Sequence, residues 1–342
     1  MKVTVLSGGL SVERDAALCS SAYAVDALRG LGHEVAFLDM YMGIEDYGSP
    51  PIDDLFRLPV PQKWRAVAPA IPTIEQIVAG RKDKSPSKLG PGVLETLMES
   101  DAVFLDSGGD YGEDGRIQGM LDILGIPYTG SRHTGTAIAI DKALTKRLVR
   151  ACGIATPDWI SFRGNAPDPG RLAGIGFPCV VKNPTGGSSI GTYVVASPQQ
   201  LGDALQKCLE LNPVAMVEKF VAGREFSCGI LAGKPLPPIE IVSDGYDYRN
   251  KYLAETLEIC PAGIPESLDR RIRAVALAVH ETLGLRNYSR SDFILSPSGE
   301  LFFLECNVLP GLSPKSLFPK EAAAAGISYP RLCETMLLSA FE

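Results

Sequence analysis

The sequence predicts an α/β domain built on a parallel sheet, followed by two α+β domains. Three observations predict it. The first forty residues read strand, glycine turn, helix, strand, which is a βαβ unit and hence parallel pairing. From Pro178 onward, apolar strands follow one another through short loops and alternate with helices. At 342 residues the chain exceeds one ordinary core, so two or three domains are expected. Boundaries near residues 130 and 220 divide it into 1–130, 131–219 and 220–342.

In order along the chain, Val3 and Val5 begin the first strand and Gly8 and Gly9 end it. Ser11 is placed to cap a helix that ends near Gly32, and "HEVAFLDM" is the next strand. Residues 43–97 form an insertion, rich in proline and charge up to about residue 90, with some helix expected around Pro72 to Ile77. "DAVFLDSGG" is a strand ending in small residues, and "GRIQGMLDILG" is a helix. "AIAIDKALTKRLVRACG" reads as one basic amphipathic helix. "PCVVKNPTGGSSIGTYVV" is two strands joined by a Gly/Ser loop, and "PVAMVEKFVAGREFSCGILAG" is two more with a break at Gly223. A polar loop, a helix ("RRIRAVALAVHETLG"), two strands and a terminal helix complete the chain.

Composition narrows the function. The apolar fraction of 45% and charged fraction of 21% read as a soluble globular protein. A net charge of −7 argues against non-specific nucleic-acid binding. No apolar run reaches the roughly 18 residues of a membrane span, and "MKVTVLSGG" reads as a strand rather than a secretory leader. The eight cysteines are scattered with no CxxC pair, as expected of reduced thiols in a cytoplasmic protein. His33, His133 and His280 lie far apart, so a histidine metal site is not expected.

Five local stretches carry chemistry. "TGGSSIG" follows a strand bearing Lys182; its N–H groups and hydroxyls could cradle phosphate oxygens, or it is a plain hairpin tip. In "LFFLECNVLP" an apolar run carries Glu305 and Asn307 two residues apart, on one face of a strand. "SRSDFIL" places Arg290 and Asp292 on one face in the same way. Asp292, Glu305 and Asn307 are hard oxygen donors suited to Mg²⁺ shared with substrate phosphates; the alternative is a salt bridge from Arg290. "VEKFVAG" offers Glu218 and backbone groups to an adenine, with Glu225 for ribose hydroxyls. Glu13 starts a helix beside a glycine turn, where open α/β sheets bind ligands; it could hold an ammonium or simply complement the helix dipole.

The order of these motifs resembles the D-alanine–D-alanine ligases of the ATP-grasp superfamily. The matching segments are "GGLSVERDAAL", "YGEDGRIQGMLDILGIPYTGS", "AIDKALTKRL", "VVKNPTGGSSIG", "VEKFVAGREF", "YDYRNKYLAE", "CPAGI", "SRSDF" and "ECNVLPGLSPKSLFPKEAAAAGISY". They run in family order from residue 7 to about 328, leaving only 43–97 unmatched. The resemblance implies an N-terminal Rossmann-like domain and two domains that clamp ATP. It implies phosphate contacts from Lys142, Lys182 and Lys251, with Ser188 and Ser189 in the cradle. Glu218, Val221 and Glu225 would hold adenine and ribose, and Asp292, Glu305 and Asn307 two Mg²⁺ or Mn²⁺. Glu13 would hold the first amino acid's ammonium, joined by Ser188 and Tyr252 in a set that latches a loop over residues 244–255. Arg290 and the Gly311 backbone would stabilise the oxyanion, and Ser316 with Leu317 would seat the second carboxylate.

The function so implied is ATP-dependent joining of two D-alanines through an acyl phosphate, for peptidoglycan precursor synthesis. A cytoplasmic homodimer acting on small molecules, away from membrane and nucleic acid, is expected. The sequence departs from the family in places. Gly108-Gly109 stand where a His-Gly is usual, Lys315 where a His often precedes the serine, and Val308 where a Thr follows the Asn. These departures keep two alternatives open: a paralogue making D-alanine–D-serine or another dipeptide, and an inactive nucleotide-binding protein.

Overall fold

The computed structural model describes residues 1–67, 72–109, 111–164, 169–187, 191–242 and 257–342. The chain opens with β1 (Lys2–Ser7), α1 (Arg14–Gly30) and β2 (Glu34–Asp39). After the intervening segment comes β3 (Ala102–Asp106), and the three strands form a parallel sheet in the order β2-β1-β3. These strands are buried almost throughout, as expected where both faces of a parallel sheet are covered. The expected helix over Ser11–Gly32 runs over Arg14–Gly30; Ser11 closes the preceding turn, its carbonyl accepting from Arg14 N.

The 43–97 segment packs onto this sheet rather than standing off it. It holds α2 (Ile52–Leu55), α3 (Ile74–Gly80) and α4 (Val93–Met98). Trp64 is buried edge-on against Phe37, ring centroids 4.7 Å apart. Thr73 and Gln76 form a capping box that starts α3, two residues later than the sequence suggests.

Beyond β3 lie α5 (Arg116–Leu124), α6 (His133–Ile140) and α7 (Lys142–Ala151). The single helix expected across "AIAIDKALTKRLVRACG" is two. Asp141 adopts an extended backbone, and its carboxylate accepts from Ala143 N and Leu144 N at 3.0 Å each. A side chain that caps a new helix competes with continuing the old one.

Two antiparallel sheets follow. The first joins β4 (Trp159–Arg163), β5 (Cys179–Lys182), β6 (Tyr193–Val195) and β7 (Val214–Lys219) in the order β4-β7-β5-β6. Two helices, α8 (Pro169–Ile175) and α9 (Pro198–Leu211), pack on it. The second joins β8 (Arg224–Leu231), β9 (Lys234–Pro235), β10 (Ile239–Val242) and β11 (Leu257–Ile259) with β12 (Tyr288–Leu295) and β13 (Leu301–Asn307). Its order is β11-β10-β8-β12-β13, with β9 on β8. α10 (Glu266–Thr282), α11 (Leu317–Ala324) and α12 (Tyr329–Leu338) complete the chain.

The β4–β7 sheet has a core of its own, whereas the parallel sheet and the β8–β13 sheet share one continuous core. The shared core is sealed by a polar seam. Arg286 donates to the carbonyls of Tyr128 and Gly130 at 3.2 Å, and Asn287 Nδ2 donates to Gly130 O at 3.2 Å. None of the described helices is long and apolar enough to cross a membrane.

Candidate active site

The two antiparallel sheets and the N-terminal sheet meet around one cavity of about 970 Å³. On β12, Arg290 and Asp292 project to one face, and their partners across the ladder are Asn307 and Glu305 on β13. The strand period thus brings all four side chains together, as the alternation in the sequence suggests. Arg290 grips Asp292 through Nε at 3.1 Å and Nη2 at 3.0 Å. Ser227 on β8 donates to Asp292 Oδ1 at 2.7 Å, and Asn307 Nδ2 approaches Asp292 Oδ2 at 3.4 Å. Burial opposes the Arg290 charge, but Asp292 outweighs it and raises the guanidinium above its ordinary value.

The opposite wall comes from the β4–β7 sheet. Lys182 at the end of β5 meets Glu218 Oε1 at 3.1 Å, and Lys146 on α7 meets Glu218 Oε2 at 2.6 Å. Burial favours the neutral acid at Glu218, yet Lys182 and then Lys146 hold it below its usual range. Burial pushes the fully buried Lys146 ammonium down to about 8, against the attraction of Glu218. Lys146 also donates to Thr156 Oγ1 at 2.6 Å, which donates in turn to Phe303 O on β13. The resemblance gives Glu218 to adenine and ribose. Its carboxylate is instead committed to two lysines, which leaves the backbone beyond it, through Val221, exposed to the cavity.

Lys142 begins α7 and joins the two walls. Its Nζ lies 3.1 Å from Glu305 Oε2 and donates to Gly186 O in the Gly/Ser hairpin at 2.6 Å. Burial would raise the Glu305 pKa, but Lys142 and then Lys182 hold it well below the usual carboxylate range.

The third wall is the N-terminal sheet. The Glu13 carboxylate sits among glycines: a side chain at Gly187 would meet its Oε2 at 2.7 Å, and one at Gly109 at 3.5 Å. Only a residue without Cβ lets the hairpin approach so closely. Glu113 accepts from Gly109 N at 2.8 Å; burial, with Glu13 adding to it, pushes the Glu113 carboxyl up to about 8. Asp106 at the end of β3 accepts from Ser21 Oγ at 2.7 Å, and burial pushes it up to about 7. The far end of the cavity is the loop after β13. A Cβ at Gly311 would meet Ser316 Oγ at 3.1 Å, and Leu312 N donates to Ser20 Oγ on α1 at 3.0 Å.

Every described residue expected from the sequence lines this cavity: Glu13, Lys142, Lys182, Glu218, Val221, Glu225, Arg290, Asp292, Glu305, Asn307, Gly311, Ser316 and Leu317. Ser188, Ser189, Lys251 and Tyr252, with the rest of the 244–255 loop, lie outside the described residues. Three residues of the site, Lys146, Glu113 and Asp106, do not stand out in the sequence as candidates. Lys146 comes four residues after Lys142, hence on the same helix face, and that spacing is a usable signal.

Among the described residues no three His, Cys, Asp or Glu side chains form a metal cage of their own. Asp292, Glu305 and Asn307 instead supply two carboxylates and an amide oxygen, and Arg290 and Lys142 now balance the carboxylates. Hard oxygen donors in that number fit Mg²⁺, whose shell is commonly completed by substrate phosphates.

A parallel α/β unit followed by two antiparallel sheets that close on a cleft of lysines and carboxylates defines an ATP-grasp protein. Comparison with known proteins narrows the class. The family model described as D-ala D-ala ligase N-terminus matches residues 2–131, and that described as D-ala D-ala ligase C-terminus matches 148–338. The D-alanine–D-alanine ligase of Pediococcus pentosaceus is 36% identical over 342 residues, covering 99% of this chain and 97% of its own length. That of Nitratidesulfovibrio vulgaris is 36% identical over 341 residues, covering 98% and 97%. The crystal structure of the Bacillus anthracis D-alanine–D-alanine ligase complexed with ATP superposes with a TM-score of 0.77 at 27% identity, covering 100% of this chain and 97% of that one. The chain belongs to the D-alanine–D-alanine ligase family.

Proposed function

We propose that this chain joins two D-alanine molecules into D-alanyl-D-alanine at the expense of ATP, through an acyl phosphate. The observation that carries the reading is the convergence of Lys142, Lys182, Arg290, Asp292, Glu305 and Asn307 on one cavity. A carboxylate resists attack by an amine. Phosphorylation converts its oxygen into a leaving group, but two anions must first be brought together.

In this reading Glu13 holds the first ammonium, and Lys142, Lys182 and Lys251 meet the phosphates, with Ser188 and Ser189 in the cradle. The backbone near Val221 faces adenine, Glu218 fixes Lys182 beneath it, and Glu225 takes the ribose. Asp292, Glu305 and Asn307 would hold two Mg²⁺ or Mn²⁺, which would supply positive charge against the repulsion between carboxylate and triphosphate. The first carboxylate oxygen attacks the γ-phosphorus, the bond to ADP breaks, and the acyl phosphate forms. Ser316 and Leu317 seat the second carboxylate, so its neutral amine attacks the acyl carbon. Arg290 and the Gly311 N–H meet the oxyanion; the C–O bond to phosphate breaks, and the proton lost by the amine leaves with the departing phosphate. Ser188 and Tyr252 join Glu13 in latching the 244–255 loop, which excludes water.

The same reading places a homodimer in the cytoplasm, feeding peptidoglycan synthesis. It keeps boundaries near residues 130 and 220, which the separate core of the β4–β7 sheet and the 128–130 seam favour. D-alanine-dependent phosphate release from Mg-ATP, with mass spectrometry of the products, tests it. ATP binding without amino-acid-dependent hydrolysis would count against it. One observation favours a second reading, a different second amino acid: Lys315 lines the cavity beside Ser316. A screen with pooled D- and L-amino acids separates the two.

A further inference from the structure

One buried carboxylate beside the site has no part in this chemistry. Gly229 on β8 is the ladder partner of Arg290 on β12, which is in turn the partner of Asn307 on β13. Partners across an antiparallel ladder project to the same face, Cβ atoms about 5 Å apart. Gly229 has no side chain, and α11 fills the space. A Cβ there would meet Glu321 Oε2 at 2.6 Å and the Phe318 ring at 2.7 Å. The Glu321 carboxylate therefore occupies the place of a Gly229 side chain, on the reacting face and next to the Arg290 stem.

Glu321 is fully buried, no side-chain donor meets either carboxylate oxygen at hydrogen-bonding geometry among the described residues, and the Gly229 N–H is the backbone group that favours its charge. A buried carboxyl in that condition is costly, and an apolar side chain would pack α11 without the cost. Arg290, meanwhile, commits Nε and Nη2 to Asp292. Ser227 and Asn307 take the remaining lone pairs of Asp292, so a metal ion held there would displace at least one of these donors. An arginine that must meet an oxyanion then needs a second anchor outside the metal site.

We propose that Glu321 is a positioning residue for Arg290, taking up the guanidinium from the α11 side when Asp292 is engaged by metal and phosphate. This rests on the ligase reading above and deepens it. Burial pushes the Glu321 carboxyl well up, and Arg290 is the first group that opposes the rise. Asp292 adds to the rise, so the charge at Asp292 also bears on Glu321.

The test is a double-mutant cycle. Glu321→Gln should cut kcat roughly tenfold, and calorimetric affinity for Mg-ADP should stay within about twofold. In an Arg290→Ala background the same change should cost nothing further. Glu321→Met, which packs without a polar group, should show the same kcat loss with an unchanged or raised Tm, so misfolding is separable from mispositioning. Normal kcat in both variants, or a loss that adds to that of Arg290→Ala, overturns the proposal. Full activity in Arg290→Ala would remove the residue that Glu321 is held to position and so overturn the proposal as well, whereas absence of D-alanine-dependent phosphate release in the parent would instead strike at the ligase reading itself.

Discussion

Lys142 Nζ sits 3.1 Å from Glu305 Oε2 and 2.6 Å from Gly186 O, so one ammonium ties β13 to the Gly/Ser hairpin of the neighbouring sheet. The two sheets otherwise belong to different cores. A single cation at their junction both closes the cleft and lowers the Glu305 pKa. Lys142→Met should therefore raise the KM for ATP roughly tenfold or more and reduce kcat as well, since positioning and charge are lost together. Steady-state kinetics at varied ATP decide it; a kcat change with an untouched KM would refute the bridging role.

Arg290 is the donor best placed for charge developing away from the triphosphate. Arg290→Ala should lower turnover by roughly 10²-fold, the usual scale for one oxyanion donor. Nucleotide affinity by calorimetry should be little changed. Turnover within a few fold of the parent removes Arg290 from the mechanism.

Two buried carboxyls give stability a pH dependence of definite sign. Asp106 is raised to about 7 and Glu113 to about 8, both chiefly by burial. The folded state therefore binds more protons than the unfolded one between the ordinary carboxyl range and those values. Their contribution is complete below the unfolded pKa and is lost as pH rises through 7 and 8. Each group can supply at most about 1.4 kcal/mol per pH unit over that span. Urea midpoints at pH 5 and pH 8 should fall more steeply in the parent than in Asp106→Asn. Equal slopes would mean that Asp106 is ionised in the fold.

The seam between the first and last thirds of the chain rests on Arg286. Its guanidinium donates to Tyr128 O and Gly130 O, and burial lowers its pKa. Arg286→Ala leaves those carbonyls short of donors and should cost about 1.5–3 kcal/mol, the range for hydrogen bonds to charged groups. Chemical denaturation measures it. A cost under about 0.5 kcal/mol would show that water replaces the guanidinium freely.

Legibility in the sequence follows locality. Arg290 with Asp292, and Glu305 with Asn307, stand out because charge at a period of two inside apolar strands is costly to bury unless a site uses it. The hairpin with Lys182 is visible for a similar reason: glycines and serines interrupt two β-branched runs. The helix break at Asp141 is hidden, because its capping role depends on backbone geometry that an amphipathic pattern does not reveal. Lys146 and Glu218 find each other only once α7 has packed against β13 and its lysine reaches across to β7. Glu321 reads as one more polar position in an alanine-rich helix; only the missing side chain at Gly229, on a strand far away in sequence, makes room for it.

Lys315 is the departure with the clearest consequence for specificity. It is exposed, lines the cavity, and follows Ser313, whose Oγ accepts from Lys315 N at 3.3 Å. Its neighbour Ser316 stands at the N-cap position of α11, its hydroxyl turned to Ser313 rather than to the helix, beside Gly311, where the second carboxylate is proposed to sit. A flexible ammonium there adds a full positive charge, whereas histidine is largely neutral at pH 8 and shorter. Lys315→His should therefore weaken binding of the second amino acid at pH 8, raising its KM about three- to tenfold while the KM for the first is kept. Lowering the pH to 6 should recover part of the loss as the imidazole charges. Competition between D-alanine and D-serine, read by mass spectrometry, should show whether the product ratio shifts with the substitution. An unchanged KM at both pH values, with an unchanged product ratio, would mean that Lys315 points into solvent throughout the cycle and leaves specificity to other residues.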